Sequence, residues 1–183
     1  MLVIVLAIPG EGGEASAASV FAQLYEEYMP KVFRYVSYRI RSRSAAEDLT
    51  STVFEKALTG YGRYRADKAA FSTWIFTIAR NTVIDYFRVH RQAQSLEAED
   101  APDIPDGRDS PEEDAIKAEE LRALRHCLEQ LSGPEREIVS LKFAGEITNR
   151  AIARQVGLTE SNVAVIVFRA VRKLRECVEA QHG

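Results

Sequence analysis

Apolar residues recur three and four positions apart along most of the chain, a spacing typical of amphipathic helices. In the first such stretch Phe21, Leu24 and Tyr28 keep this spacing, and the pattern continues to Ile40 beyond Pro30. Because proline lacks the backbone N–H that a helix interior uses, Pro30 predicts a kink or a restart of the helix. No segment shows a convincing strand-like alternation of apolar and polar residues. The pattern therefore predicts an all-α fold.

Two further helices complete the N-terminal half. Ser44, with Glu47 three residues later, fits a capping box and predicts a helix that ends near Thr59, before the glycines of 60–62. A polar, basic loop at 63–68 then leads to a long helix. That helix is predicted from Phe71 to Arg91, with an apolar side of Phe71, Trp74, Ile75, Ile78 and Tyr86. A second face carries Arg80, Ile84, Arg88 and Arg91, whose spacing of four, four and three places them together.

The helical pattern resumes in the C-terminal half, after a segment without periodicity. Its first stripe consists of Ile116, Leu121, Leu124, Leu128 and Leu131. Gly133 is followed by Pro134, a residue favoured in the first turn of a helix, which predicts a further helix that ends near Phe143.

The strongest local motif runs from Thr148 to Val163. Thr148 and Thr159 are each positioned to cap a helix, Gly157 supplies a turn that tolerates positive φ, and Ala153 permits close helix approach. This order predicts a helix-turn-helix, whose second helix enters the major groove with its N-terminal residues at base edges. An ordinary helical hairpin remains the alternative. The candidate DNA contacts are Thr159, Ser161, Asn162, Ala164 and Val165 at bases or backbone, and Arg169, Arg172, Lys173 and Arg175 at phosphates.

The formal net charge of -3 conceals an uneven distribution of charged residues. Residues 21–91 carry 12 Lys/Arg against 7 Asp/Glu, and residues 121–183 carry 10 against 7. Between them, residues 92–120 carry 2 against 11, with three prolines. Two basic helical modules joined by a flexible acidic linker are therefore predicted, with boundaries at 1–16 (an N-terminal extension), 17–95, 96–112 (the linker) and 113–181.

Cysteine use and the N-terminal residues bear on the cellular compartment. Cys127 and Cys177 are far apart, without a CxxC motif or a disulfide framework, which favours a reducing cytoplasm. Cys127 lies at an apolar helical position and is interpreted as core packing, whereas the role of Cys177 is left open.

Met1–Ile8 is apolar but much shorter than the ~20 residues that span a bilayer. It is interpreted as an extension, with a start-site artefact and a short strand or binding patch as alternatives.

Four motifs in order resemble the extracytoplasmic-function (ECF) group of RNA polymerase sigma factors, over roughly 20–91 and 116–179. They are Phe21–Pro30, Ala46–Phe54, Phe71–Asn81 with Asp85, and Leu131–Glu137 with the helix-turn-helix. In that family the N-terminal module, region 2, binds polymerase and opens the nearer promoter element. The C-terminal module, region 4, binds the farther element. The resemblance implies that the linker spans the enzyme between them.

The resemblance assigns roles to residues of the N-terminal module. Polymerase contacts correspond to Asp48, Thr52 and Glu55, while Leu49 and Val53 are expected in the core. Contacts to the nearer element and melting correspond to Arg63, Tyr64, Arg65, Lys68, Phe71, Ser72, Trp74, Arg80, Asn81, Ile84, Arg88 and Arg91. Aromatic faces and basic groups suit unstacked single strands. Trp74 also lies on the apolar stripe, so packing in the core is the competing expectation.

One departure from the family concerns the recognition helix. Family members commonly carry Lys or Arg where this chain has Ala164 and Ile166. Bidentate arginine contacts to guanine are therefore not expected at these two positions. Shape readout and contacts from Ser161, Asn162 and Arg169 would carry more of the recognition.

The resemblance also implies the partners. They are core RNA polymerase, through the clamp helices of its largest subunit and its flap, together with promoter DNA and an anti-sigma factor. No P-loop, HExxH or GxSxG motif occurs, so neither an enzyme nor a cofactor or metal site is expected, and no membrane insertion. The alternative function is a helix-turn-helix regulator that acts without polymerase.

Overall fold

Seven α-helices and one 3₁₀ turn make up the computed structural model, which describes residues 13–94 and 112–181. The helices are α1 (Gly13–Arg39), α2 (Arg43–Gly60), α3 (Phe71–Gln94), α4 (Glu112–Glu129), α5 (Gly133–Phe143), α6 (Asn149–Val156) and α7 (Glu160–Gln181), with the 3₁₀ turn at Tyr61–Arg63. These two ranges contain no strand, so the all-α prediction is confirmed. They also contain no helix long and apolar enough to cross a membrane. Residues 1–12 and most of the predicted linker lie outside them.

Helix α1 continues through Pro30, so the predicted restart at this proline is wrong. A proline in a helix interior costs about 3 kcal/mol. The residues that follow it offset this cost, because Val32, Tyr35 and Val36 are almost completely buried. Each such side chain contributes roughly 1.5–3 kcal/mol on burial, so together they outweigh the lost hydrogen bond.

The start of α2 differs from its prediction by two residues. Ser42, rather than Ser44, is the N-cap, and its hydroxyl accepts a hydrogen bond from the backbone N–H of Ala45 at 3.3 Å. Glu47 then forms an ion pair with Arg43 at 3.0 Å instead of closing a capping box. Ser42 and Ser44 are two residues apart and both fit a cap by sequence, and the earlier one begins the helix.

The N-terminal module packs α1, α2 and α3 around one core. On α3 the buried residues are Phe71, Ile75, Phe76, Ala79 and Val83. Trp74, Ile78 and Tyr86, which the sequence placed on the apolar side, are only partly buried. The buried stripe is shifted because α3 is covered by α1 and α2 and also meets the C-terminal module.

The two modules pack against each other and share this core. Gly145, after α5, lies so close to α3 that an added Cβ would stand 3.1 Å from the Phe76 ring and 2.7 Å from the carbonyl of Leu141. The next residue, Glu146, has a positive φ of 54° and pairs with Lys31 of α1 at 2.8 Å. A close backbone approach and an unusual backbone conformation therefore both lie at the contact between modules.

A covalent bond joins the first and last helices of the C-terminal module. Cys127 of α4 and Cys177 of α7 form a disulfide, with Cα atoms 5.8 Å apart. The interpretation of Cys127 as packing alone is therefore incomplete, although its side chain is buried. The sequence, which shows no disulfide framework, did not predict this bond. The bond lies beside a small apolar cluster of Leu128, Leu131, Val139 and Ala170.

Candidate nucleic-acid interface

The helix-turn-helix forms as its capping residues predict. The Thr148 side chain accepts a hydrogen bond from the N–H of Ala151 at 3.3 Å, and Gly157 ends α6 in the left-handed region at φ 72°. The Thr159 hydroxyl then accepts from the N–H of Asn162 at 3.2 Å and starts α7. Val163 is fully buried, so the first turn of α7 is fixed against the core. This anchoring leaves the opposite side of the recognition helix facing outward.

The outward face of α7 carries an apolar pair. Ser161, Val165, Phe168 and Arg172 are four, three and four residues apart and are all exposed, which places them on one face. Val165 is 46% exposed and Phe168 is 70% exposed. The sequence analysis did not include Phe168 among the candidate contacts. Its position three residues after Val165 could have placed it on the same face of the helix.

The two departures from the family's basic pattern lie in different environments. Ala164 is exposed, as expected of a candidate contact. Ile166 instead packs against the core that the two modules share. Its apolar side chain is therefore explained by packing, and a charged residue there would need to be desolvated.

Exposed cations follow along α7. They are Arg169, Arg172, Lys173 and Arg175. Arg172 pairs with Glu176 at 3.5 Å, and both side chains are about two-thirds exposed, so this contact is weak. Lys173 donates a hydrogen bond to Glu135 of α5 at 2.7 Å. The bonds from Lys173 and Ser132 lower the pKa of Glu135 to about 2, so this carboxylate remains ionised at neutral pH.

An aromatic cluster surrounds the loop between α2 and α3. Tyr61, Tyr64, Phe71 and Trp74 have ring centroids between 5.0 and 6.5 Å apart. Phe71 is buried and Trp74 and Tyr64 are partly buried, so these predicted base contacts also pack on one another. Ser72 is partly buried beside them, and Arg63, Arg65 and Lys68 are exposed on the same loop. The loop thus exposes its basic side chains to solvent, next to a packed cluster of aromatic side chains.

The predicted DNA face of α3 is divided by the contact between modules. Asn81, Ile84 and Arg88 are exposed, and the Arg91 side chain lies outside the described residues. Arg80 is mostly buried and forms an ion pair with Glu137 of α5 at 2.5 Å. In the docked arrangement Arg80 is therefore already bound by the other module.

The candidate polymerase contacts lie on one side of α2. Asp48 and Glu55 are exposed, and Thr52 between them donates its hydroxyl to the backbone carbonyl of Asp48 at 2.9 Å. Val53 is fully buried and Leu49 packs against the core. The helix thus separates an acidic outer face from an apolar inner one, as its sequence predicts.

Sequence reasoning also missed a cleft of about 400 Å³ between the modules, lined largely by arginines. Arg41 pairs with Glu129 at 2.8 Å, Arg39 donates to the carbonyl of Gly133, and Arg136 donates to the carbonyl of Glu129. Burial and the nearby Arg39 lower the pKa of Arg136. The contacts of Arg41 and Arg39 join the two modules, whereas the Arg136 contact lies between α5 and the end of α4 within the C-terminal module.

Comparison with known proteins agrees with this geometry. The Sigma-70 region 2 family matches residues 24–93, and the Sigma-70, region 4 family matches residues 121–174. The ECF RNA polymerase sigma factor BldN of Streptomyces coelicolor is 32% identical over 164 residues, which cover 90% of this chain and 62% of BldN. The ECF RNA polymerase sigma factor RpoE of Cereibacter sphaeroides is 30% identical over 163 residues, 86% of each protein.

The fold is also that of a solved sigma factor. RpoE of Bartonella quintana, solved with the anti-sigma factor NepR, superposes with a TM-score of 0.68 at 21% identity, over 88% of this chain and 98% of that one. Helical regions 2 and 4 in this order define a sigma-70 type of transcription factor. The chain belongs to the ECF group of RNA polymerase sigma factors. It is therefore a polymerase-binding sigma factor, and the alternative of a regulator that acts without polymerase is not favoured.

Proposed function

We propose that residues 17–95 bind core RNA polymerase and the nearer promoter element, and that residues 113–181 bind the farther element. Residues 96–112 would span the enzyme between them as an acidic tether. The helix-turn-helix is the observation that supports this proposal most strongly. Its second helix, α7, is capped at its start and buries Val163, while the opposite side of the helix is exposed along its length. Tethering raises the effective concentration of the second contact, so each module needs only modest affinity of its own.

The acidic face of α2 would bind the polymerase at the clamp helices of its largest subunit. Asp48 and Glu55 are exposed carboxylates on one side of a helix whose other side is fixed in the core. Thr52 lies between them and adds a hydroxyl. Region 4 would bind the polymerase flap.

The loop before α3 would melt the nearer element. Arg63, Arg65 and Lys68 are exposed and suit the phosphates of a separated strand. An unstacked base would need one of the partly buried rings of Tyr64 or Trp74 to become more accessible. Exposed residues of α3, among them Asn81 and Arg88, extend this surface along the helix.

Opening of the modules would precede promoter binding, because Arg80 cannot contact DNA while Glu137 holds it. Replacing Glu137 with glutamine is expected to shift the chain toward an open form. The change leaves a mostly buried guanidinium without its counter-charge, at a cost of about 1–3 kcal/mol given the remaining exposure of the pair. Energy transfer between dyes on the two modules of the full chain is expected to fall.

Glu176→Gln is the matched control for that experiment. It makes the same chemical change in an ion pair whose two side chains are about two-thirds exposed and lie within α7. Energy transfer in this variant is expected to stay at the wild-type value. Equal energy transfer in the Glu137 variant and the wild type would show that the ion pair does not hold the modules together.

Replacing Arg172 with alanine is expected to weaken promoter binding by a similar factor for all sequences. Arg172 is exposed on the DNA-facing side of α7, past the first two turns, where phosphate contacts are expected. The slope of log affinity against log salt is expected to become shallower by about 1. Titrating holoenzyme against two unrelated promoters over a salt series tests this. A loss confined to one promoter would instead identify Arg172 as a base reader.

The remaining parts of the proposal concern context. We place the chain in the cytoplasm as a non-enzymatic initiation factor that directs transcription of a stress or envelope-type regulon. An anti-sigma factor is proposed as its inhibitor, since the sigma factor RpoE was solved with the anti-sigma factor NepR, and CnrH was solved with the cytosolic domain of CnrY.

Run-off transcription tests the function as a whole. The full chain is added to core polymerase on genomic fragments, and discrete transcripts that depend on the added chain are expected. The comparison is a Gly157→Val variant, because valine at φ 72° is strained and would disturb the helix-turn-helix. The absence of any chain-dependent transcript would contradict the proposal.

A further inference from the structure

The outward face of α7 has an unusual composition for a helix that enters the major groove. From Ser161 to Phe168 its exposed residues are Ser161, Asn162, Ala164, Val165 and Phe168, and none of these is charged; the exposed residue before them, Glu160, is acidic. Val165 and Phe168 are neighbours on this face and are 46% and 70% exposed. Isolated apolar residues are common on protein surfaces, but this pair lies between the polar start of the helix and Arg172. The apolar pair therefore occupies the part of α7 that would meet base edges.

The major groove offers one apolar group to such a pair. Each base pair presents donors and acceptors there, and thymine alone adds a C5-methyl group. Guanine is read most often by arginine or lysine, which these positions lack, whereas an asparagine such as Asn162 pairs well with adenine. Seven residues of helix rise separate Ser161 from Phe168, about 10 Å, which corresponds to about three base pairs.

We propose that Val165 and Phe168 recognise thymine methyl groups in the farther promoter element, with Asn162 on a neighbouring adenine. The element bound by this chain would then be read mainly as A·T pairs with defined strand polarity. This inference rests on the proposed function, since it assigns a chemistry to the base-reading helix of region 4. It also gives the apolar face of α7 a role that packing within the described ranges does not provide.

Replacing thymine with deoxyuridine tests the inference directly, because it removes the methyl group and leaves every hydrogen-bonding group in place. Holoenzyme made from the full chain is titrated against a promoter found by run-off transcription, with each thymine of the farther element replaced in turn. At a contacted thymine, binding is expected to weaken roughly fourfold, the value of one buried methyl group. Replacement of thymines that the helix does not contact is expected to leave binding unchanged.

Protein variants locate the methyl contact. Phe168→Gln and Val165→Ala are expected to weaken binding to the thymine promoter and to reduce the effect of deoxyuridine at one position each. Phe168→Leu, which keeps an apolar side chain, is expected to retain the effect. Phe143→Ala is the matched control, since Phe143 is 51% exposed at the end of α5 and lies outside α7. Its binding and its deoxyuridine effect are expected to equal those of the wild type.

Two results would overturn the inference while leaving the proposed function intact. The first is specific binding and transcription with no deoxyuridine effect at any thymine of the farther element. The second is a Phe168→Gln variant that assembles poorly with core polymerase but keeps the full deoxyuridine effect, which would make the apolar pair a protein-binding surface. Failure of the wild-type chain to support any transcription would instead contradict the proposed function.

Discussion

Replacing Asp48 with arginine is expected to lower the affinity of the full chain for core RNA polymerase by about 100-fold or more. Asp48 is exposed on the acidic face of α2, and a charge reversal there juxtaposes like charges across the proposed interface. Truncating one partner of a charge pair in an interface typically costs 2–5 kcal/mol or more. Helical content should not change, because Asp48 is exposed and its replacement leaves the buried side of α2 intact. Fluorescence anisotropy of labelled chain titrated with core polymerase measures the affinity.

Glu47→Lys controls for the change in charge. Glu47 is one residue away on the same helix but about 100° around it, and it is equally exposed. Its ion pair with Arg43 is more than half exposed at both ends, so its loss costs little. We expect affinity within a few-fold of the wild type. If the two variants lose affinity equally, the polymerase responds to net charge and the placement of the interface on Asp48, Thr52 and Glu55 is wrong.

The sequence predicted well those features that depend on contacts between residues close together in the chain. Thr148, Gly157 and Thr159 act on backbone groups within three or four residues, so their order was enough to predict the helix-turn-helix. The start of α2 shows where local chemistry is ambiguous. Ser42 and Ser44 both fit a cap, and only the packing of the following helix selects between them.

Contacts between the modules could not be predicted in this way. Arg80 and Glu137 are 57 residues apart, and Lys31 and Glu146 are 115 apart, so no periodicity within one element relates them. Gly145 could have been interpreted as an ordinary helix end. Its close approach to Phe76 depends on how α5 meets α3, which is a property of the whole fold.

The docked arrangement links the two halves of the proposed function. Under the proposed function, promoter phosphates would compete with Glu137 for Arg80, so DNA binding by region 2 and docking of region 4 would be mutually exclusive at this residue. Any partner that favours the open form would therefore raise the affinity for the promoter, and promoter DNA would raise the affinity for that partner by the same factor. Core polymerase, which would hold regions 2 and 4 apart, fits this role.

The disulfide is a different kind of omission, because the wide spacing of the two cysteines was interpreted as a sign of a reducing compartment. Cytoplasmic proteins rarely keep disulfides, and two cysteines 50 residues apart have no pattern that indicates pairing. The structure brings them together because α4 and α7 pack side by side. The apolar cluster at that contact is small, so a covalent link there should matter for stability.

Reduction of the Cys127–Cys177 disulfide is expected to destabilise the C-terminal module by about 2–4 kcal/mol. A dithiol reductant gives up two electrons and two protons, leaves as its own cyclic disulfide, and converts the bond to two thiols. The bond closes a separation of 50 residues, for which the chain-entropy relation gives about 4 kcal/mol as an upper value. Denaturant unfolding of the full chain, followed with and without reductant, measures the loss. Hydrogen exchange should locate it in α4 and the end of α7.

A Cys127→Ala/Cys177→Ser double variant separates the bond from other effects of the reductant. It is expected to unfold at the midpoint of the reduced wild type and to be insensitive to reductant. Val163 lies in the shared core, 14 residues before Cys177 on α7, and the caps of α6 and α7 rest on local hydrogen bonds, so the helix-turn-helix should persist in both forms. If oxidised and reduced wild type unfold at the same midpoint, the packing of α4 on α7 suffices without the covalent link. The disulfide would then contribute nothing to the stability of region 4.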